Sequence, residues 1–129
     1  MSQSVSPQLS DSKANAGKPN SKIVEIEDSN FEQQVIRSPV PVLVDFTAAW
    51  CAPCRAIAPH VEALAAAYSG RVRVGKCDVD QNQASTARFD VRSLPTLLLF
   101  KDGKVVSQLI GAASRAKIEA VVKSALPPT

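Results

Sequence analysis

The sequence predicts an α/β fold, with a central mixed sheet of about five strands and helices on both faces. Three observations carry this. Short apolar stretches alternate with segments of helical period along most of the 129 residues. The stretch Val42-Leu43-Val44-Asp45-Phe46 is almost continuously apolar, as strands buried on both faces are. Lys101-Asp102-Gly103-Lys104 is a hairpin signal, because Asp-Gly tolerates positive φ.

Each element follows from local chemistry. Ile23, Val24 and Ile26 form a short first strand. Ser29 with Glu32 reads as a capping box that opens a helix, with Phe31, Val35 and Ile36 as its apolar stripe and Pro39 and Pro41 as its stop. The apolar run 42–46 is the next strand. Ile57, Val61, Leu64, Ala65 and Tyr68 recur at helical spacing up to Gly70, with Pro59 predicting a kink. Arg71 to Val79 alternates as a strand, so strand, helix and strand make a right-handed unit with parallel strands. A short helix is expected over Asn82 to Arg88. Thr96 to Phe100 and Val105 to Ile110 pair across the hairpin. Ser114 caps a last helix whose inner face carries Ile118, Val121, Val122, Ala125 and Leu126, ended by Pro127 and Pro128.

Composition bounds the function. The chain is 45% hydrophobic and 21% charged, which is ordinary for one globular domain. Its net charge of +3 is scattered, without the dense basic stripe of a nucleic-acid binder. The longest uncharged apolar stretch, Leu94 to Phe100, is far too short to span a bilayer. Residues 1–20 carry no hydrophobic period and are expected to be a disordered tail, leaving 21–129 as the domain. That tail lacks the apolar region of a secretory signal, so a cytoplasmic, reducing setting is expected. Nothing demands more than a monomer.

Three cysteines are too few for a disulfide scaffold, and in a reducing setting a close pair reads as redox or metal chemistry. The pair lies in Trp50-Cys51-Ala52-Pro53-Cys54-Arg55, where a buried strand hands over to a helix. The spacing lets two sulfurs bond within the first helical turn. The positive end of the helix dipole and its free N–H groups favour a thiolate at Cys51. Pro53 sits where its missing N–H costs little, and it stiffens the link between the sulfurs.

Several separated pieces in order resemble the thioredoxin family over residues 22–126. They are Val44-Asp45-Phe46, the Trp50 to Arg55 segment, Ala58-Pro59, Asp78-Val79-Asp80-Gln81-Asn82, Leu94-Pro95-Thr96-Leu97 and Gly111. The resemblance implies a thioredoxin-like fold and a protein-disulfide reductase that binds no cofactor and is recharged by a partner reductase. It implies that Cys51 is the exposed nucleophile and Cys54 the buried resolving thiol. Asp45 would take the Cys54 proton, and Lys76 would tune Asp45. Pro95 would be a cis-proline that sets the Leu94 backbone beside the sulfurs. Trp50, Ala52, Pro53, Leu94, Pro95, Gly111 and Ala112 would form the surface that docks disulfide-containing proteins.

The sequence departs from the family pattern at three positions near the pair. Ala52 stands for the usual glycine, Arg55 for a lysine and Thr47 for a second tryptophan. Other readings stand beside the reductase. Cys51, Cys54, Cys77 and His60 are numerous enough for a zinc site. The same pair could serve an oxidase or isomerase, or the fold could be a binding subunit with no redox role. For Cys77 alone, whose neighbour Lys76 must point to the other sheet face, a buried free thiol is expected. His60 reads as a solvated helix residue.

Overall fold

The middle of the sheet is the strand that has no polar face to offer water. Residues 42–46 are all buried, so this strand needs a partner on each edge and a layer on each face. The computed structural model, which describes residues 23–127, supplies both. Its strands are β1 (Ile23–Glu25), β2 (Val42–Thr47), β3 (Arg73–Asp78), β4 (Thr96–Lys101) and β5 (Lys104–Ile110). Its α-helices are α1 (Ala52–Ala67), α2 (Gln83–Arg88) and α3 (Arg115–Ser124). The strand order is β1-β3-β2-β4-β5, with β2 parallel to β3 and antiparallel to β4. The expected tail, 1–20, lies outside the described residues.

Alternation along the strands divides the core in two. Leu43, Val74, Leu97 and Leu99 face α1 and α3, where Ile57, Val61, Leu64, Ile118 and Val122 cover them. Val42, Val44, Phe46, Cys77, Leu98 and Phe100 face the other way, onto Ile26, Phe31 and Val35. Phe31, Phe89 and Phe100 close that second layer as an aromatic trio with centroids 5.1 to 5.8 Å apart. Gly75 of β3 lies against Ile26 so closely that a Cβ there would strike its side chain. The hairpin forms as its sequence predicts: Asp102 (φ 53°) and Gly103 (φ 80°) both take positive φ. The Ser114 Oγ accepts from the Lys117 N–H at 3.2 Å and opens α3. Helix α1 runs through Pro59 without a break.

Two local expectations are corrected. The Ser29–Glu32 capping box does not form. The segment after β1 is a five-residue π-helical turn, Glu32–Ile36, preceded by Phe31 with no side-chain cap. Asn30 organises this corner instead: its Oδ1 accepts from the Glu27 N–H at 2.7 Å, and its Nδ2 donates to the Glu25 carbonyl. An Asn that bonds the backbone before the helix competes with a cap of the usual register. The short helix α2 is also capped from a distance. Asp28 accepts from the Ser85 N–H at 2.8 Å and from the Ala84 N–H, while Asn82 Oδ1 accepts from the Asp28 N–H at 2.9 Å. The Ser85 hydroxyl and backbone bonds hold the Asp28 carboxyl below its usual range.

Candidate active site

The site sits where β2 ends and α1 begins. Ala48 is buried, and the Cys51 N–H donates to its carbonyl at 3.1 Å, which turns the chain into the helix. Cys51 is the N-cap of α1, in extended backbone, and its Sγ accepts from the Cys54 N–H at 3.2 Å. A sulfur there meets the unsatisfied N–H groups and the positive end of the helix. Cys51 and Cys54 are joined as a disulfide, with Cα atoms 5.3 Å apart. Cys51 is expected to be exposed; with the bond closed it is only 4% exposed, and Cys54 2%. Ala48, Val79 and Leu94 pack around the pair. Arg55 holds the preceding loop, its Nη1 donating to the Ala49 carbonyl at 2.7 Å.

Leu94-Pro95 is a cis peptide, and the Gly111 N–H donates to the Pro95 carbonyl at 2.8 Å, so these two loops are joined beside the sulfurs. Gly111 needs its glycine, since its φ is 91°. Ala52, Pro53 and Ala112 are exposed. Trp50 is 68% exposed, yet its Nε1 donates to Asp80 Oδ2 at 2.8 Å, and the Asp80 N–H in turn donates to Asp78 Oδ1. Sequence reasoning assigned no role to Asp80, although the residues 78–82 were among the pieces that carried the resemblance. Ile110, 61% exposed beside Gly111, was also missed. An apolar strand residue carries no sequence mark of facing water at a sheet edge.

Asp45 is 1% exposed in the middle of β2, and its Oδ1 has no hydrogen-bond partner. Burial pushes its carboxyl up to about 6, against the opposing pull of Lys76. Lys76 is its register partner on β3, half-buried. A cleft of about 300 Å³ is lined by Cys54, Ala58, Arg55, Thr47 and Lys76 and opens to solvent beside Cys54. Cys77 is a free thiol buried on the opposite sheet face, where burial pushes it up to about 12. It therefore cannot join Cys51 and Cys54 in the zinc arrangement, and among the described residues no three potential ligands converge. No helix among the described residues is long and apolar enough to cross a membrane.

The sequence model of the family described as Thioredoxin matches residues 22–124. The chain belongs to the thioredoxin family. Thioredoxin C-2 of Corynebacterium nephridii is 47% identical over 100 residues, covering 78% of this chain and 93% of the relative. Thioredoxin of Haemophilus influenzae is 46% identical over 98 residues, 76% of this chain and 92% of its own. Thioredoxin of Alicyclobacillus acidocaldarius is 48% identical over 101 residues, 78% and 95%. Thioredoxins are thiol–disulfide oxidoreductases, and this chain carries the redox pair at the head of α1 as a closed disulfide. It is a protein-disulfide reductase, and the oxidase, isomerase and non-redox readings are not favoured.

Proposed function

We propose that the reductase cycle runs through Cys51 as nucleophile, Cys54 as resolving thiol and Asp45 as proton acceptor. The Cys51 thiolate attacks a substrate disulfide, one substrate sulfur leaves as a thiolate, and a mixed disulfide forms. Cys54 gives its proton to Asp45 and attacks the Cys51 sulfur. The Cys51–Cys54 bond closes, the second substrate thiolate leaves, and two electrons have passed to the substrate. The observation that carries this reading is the Cys54 N–H directed at Cys51 Sγ, which favours an anion on that sulfur. The buried Asp45 carboxyl supports the second step, because an acceptor near neutral poise suits proton transfer at cellular pH. The side cleft borders Cys54 and Lys76 and is large enough to hold water. Lys76 tunes that carboxyl.

Trp50, Ala52, Pro53, Leu94, Pro95, Gly111 and Ala112 form the docking surface, with Ile110 beside them. Trp50, Ala52, Pro53, Ile110 and Ala112 are its exposed part, Leu94 and Gly111 are half-buried and Pro95 is buried beneath them; an apolar rim around a buried sulfur pair favours an extended substrate segment laid against it. Asp80 serves this surface by holding the Trp50 ring in place. Asp80→Ala should raise KM for a protein disulfide about threefold with little change in kcat, the size of one exposed hydrogen bond. Steady-state kinetics check this, with Trp50 fluorescence anisotropy falling in parallel.

We further propose a monomer working in a reducing, cytoplasmic compartment, recharged by a thioredoxin reductase. The deciding assay couples NADPH oxidation through such a reductase to insulin reduction. Turnover together with a Cys51–Cys54 potential near the reducing end of the known range is the expected result. A strongly oxidising potential would reject the reductase direction.

A further inference from the structure

On the α1 side of the sheet, three charged side chains stand in one row across three neighbouring strands. Glu25 of β1 is the register partner of Lys76 on β3, and Lys76 is the register partner of Asp45 on β2. Partners in register share a face, so the row runs carboxylate, ammonium, carboxylate. Glu25 is exposed, Lys76 half-buried and Asp45 buried. Among the described residues the only side-chain ion pairs are Arg88–Glu32 and Arg92–Asp90, so Lys76 is closed onto neither carboxylate. Glu25 and Lys76 line the same cleft as Cys54.

We propose that Glu25 is a positioning residue of the resolving step: its carboxylate draws the Lys76 ammonium toward the open end of the row and so keeps Asp45 a competent proton acceptor. The inference rests on the reading of Asp45 as the acceptor for Cys54. One cation is shared by two anions. Pairing it fully with Asp45 would strip water from the ammonium, whereas drawing it toward Glu25 leaves it at the solvent edge at little desolvation cost. Lys76 is the charge that acts on Asp45, and Glu25 is the register partner of Lys76 on its other side. On β3, Asp78 is engaged with the Asp80 N–H; on α1, Arg55 is engaged with the Ala49 carbonyl. From β4 the register partner of Asp45 is the apolar Leu97. Two strand spacings separate Glu25 from Asp45, about 10 Å. That is near the screening length in physiological salt, so influence passes chiefly through Lys76 between them.

The test compares the wild type with Glu25→Gln, which keeps the side-chain shape at an exposed edge. Two readouts are taken: the Asp45 carboxyl midpoint by NMR in the oxidised protein, and the acid limb of the pH profile for insulin reduction. Both should move down by about half a pH unit, roughly threefold in the proton equilibrium. Glu25→Lys should move them further the same way. In a Lys76→Met background the Glu25→Gln shift should fall to less than half its size. No movement in either readout, or an equal shift in the Lys76→Met background, would overturn the proposal. A limb abolished by Asp45→Asn but indifferent to Glu25→Gln would overturn it alone. A carboxyl midpoint that moves under an unmoved turnover profile would remove Asp45 from the resolving step and the proposal with it.

Discussion

Cys51→Ser should reduce insulin turnover to background, a loss of about a thousandfold or more, while leaving the fold intact. Covalent catalysis by this route needs a sulfur that can ionise near neutral pH and then form and release a disulfide. A serine hydroxyl does neither, and losses on this scale follow removal of a nucleophile. The fold should survive because serine is among the best N-cap residues, and its oxygen can accept the bond that Cys51 Sγ takes from the Cys54 N–H. Cys54→Ser should behave differently. The first attack remains possible, the resolving attack does not, and substrate should accumulate as a mixed disulfide on Cys51. Non-reducing electrophoresis and mass spectrometry of the trapped species distinguish the two variants. Trapping through Cys54 in a Cys51→Ser protein would reverse the assigned roles, and undiminished turnover in that variant would remove the pair from the chemistry. Cys77 offers no substitute, since it lies on the far face of the sheet and its raised pKa leaves it protonated near neutral pH.

The sheet and the sulfur pair were legible because their signals are local. The nearly continuous apolar run 42–46 suits a central strand, and Asp102-Gly103 tolerates a turn through positive φ. The neighbour rule that sent Cys77 to the face opposite Lys76 also held, since side chains alternate along any strand. What the sequence hid depends on partners distant in the chain. Ser29 and Glu32 have the capping-box spacing, but Asn30 bonds the backbone first and the turn widens to a π-helix. Asp28 caps a helix 56 residues later in the chain, which no window around α2 could show. Asp80 reaches Trp50 across 30 residues. Cys51 is hidden because Ala48, Val79 and Leu94 pack around both sulfurs, and these are distant or apolar neighbours that carry no mark in the motif.

Asp45→Asn should be more stable than the wild type in alkaline solution and less active, because the folding cost and the catalytic use of this carboxyl have one cause. Burial raises it to about 6 from an ordinary 3.8, so the native state binds its proton more tightly than the unfolded chain does. Near pH 2, well below both values, both states are protonated and the group is neutral toward folding. As pH rises from 3.8 to 6 the unfolded chain ionises freely while the folded one resists, and stability is lost. Above 6 the full penalty is present, about 3 kcal/mol for a shift of this size. Asparagine cannot ionise, so the variant-minus-wild-type stability should grow by about 3 kcal/mol between pH 2 and pH 8, whatever constant offset the buried amide adds. For a domain of this size that is a relative gain of about 15 °C in Tm, read by urea or thermal unfolding of the oxidised protein across pH. Turnover should meanwhile fall about a hundredfold near neutral pH, the lower range for losing a general base. A stability difference independent of pH would mean that Asp45 is ionised as readily in the folded protein as in the unfolded chain. Full turnover in Asp45→Asn at neutral pH would mean that Cys54 loses its proton to another acceptor.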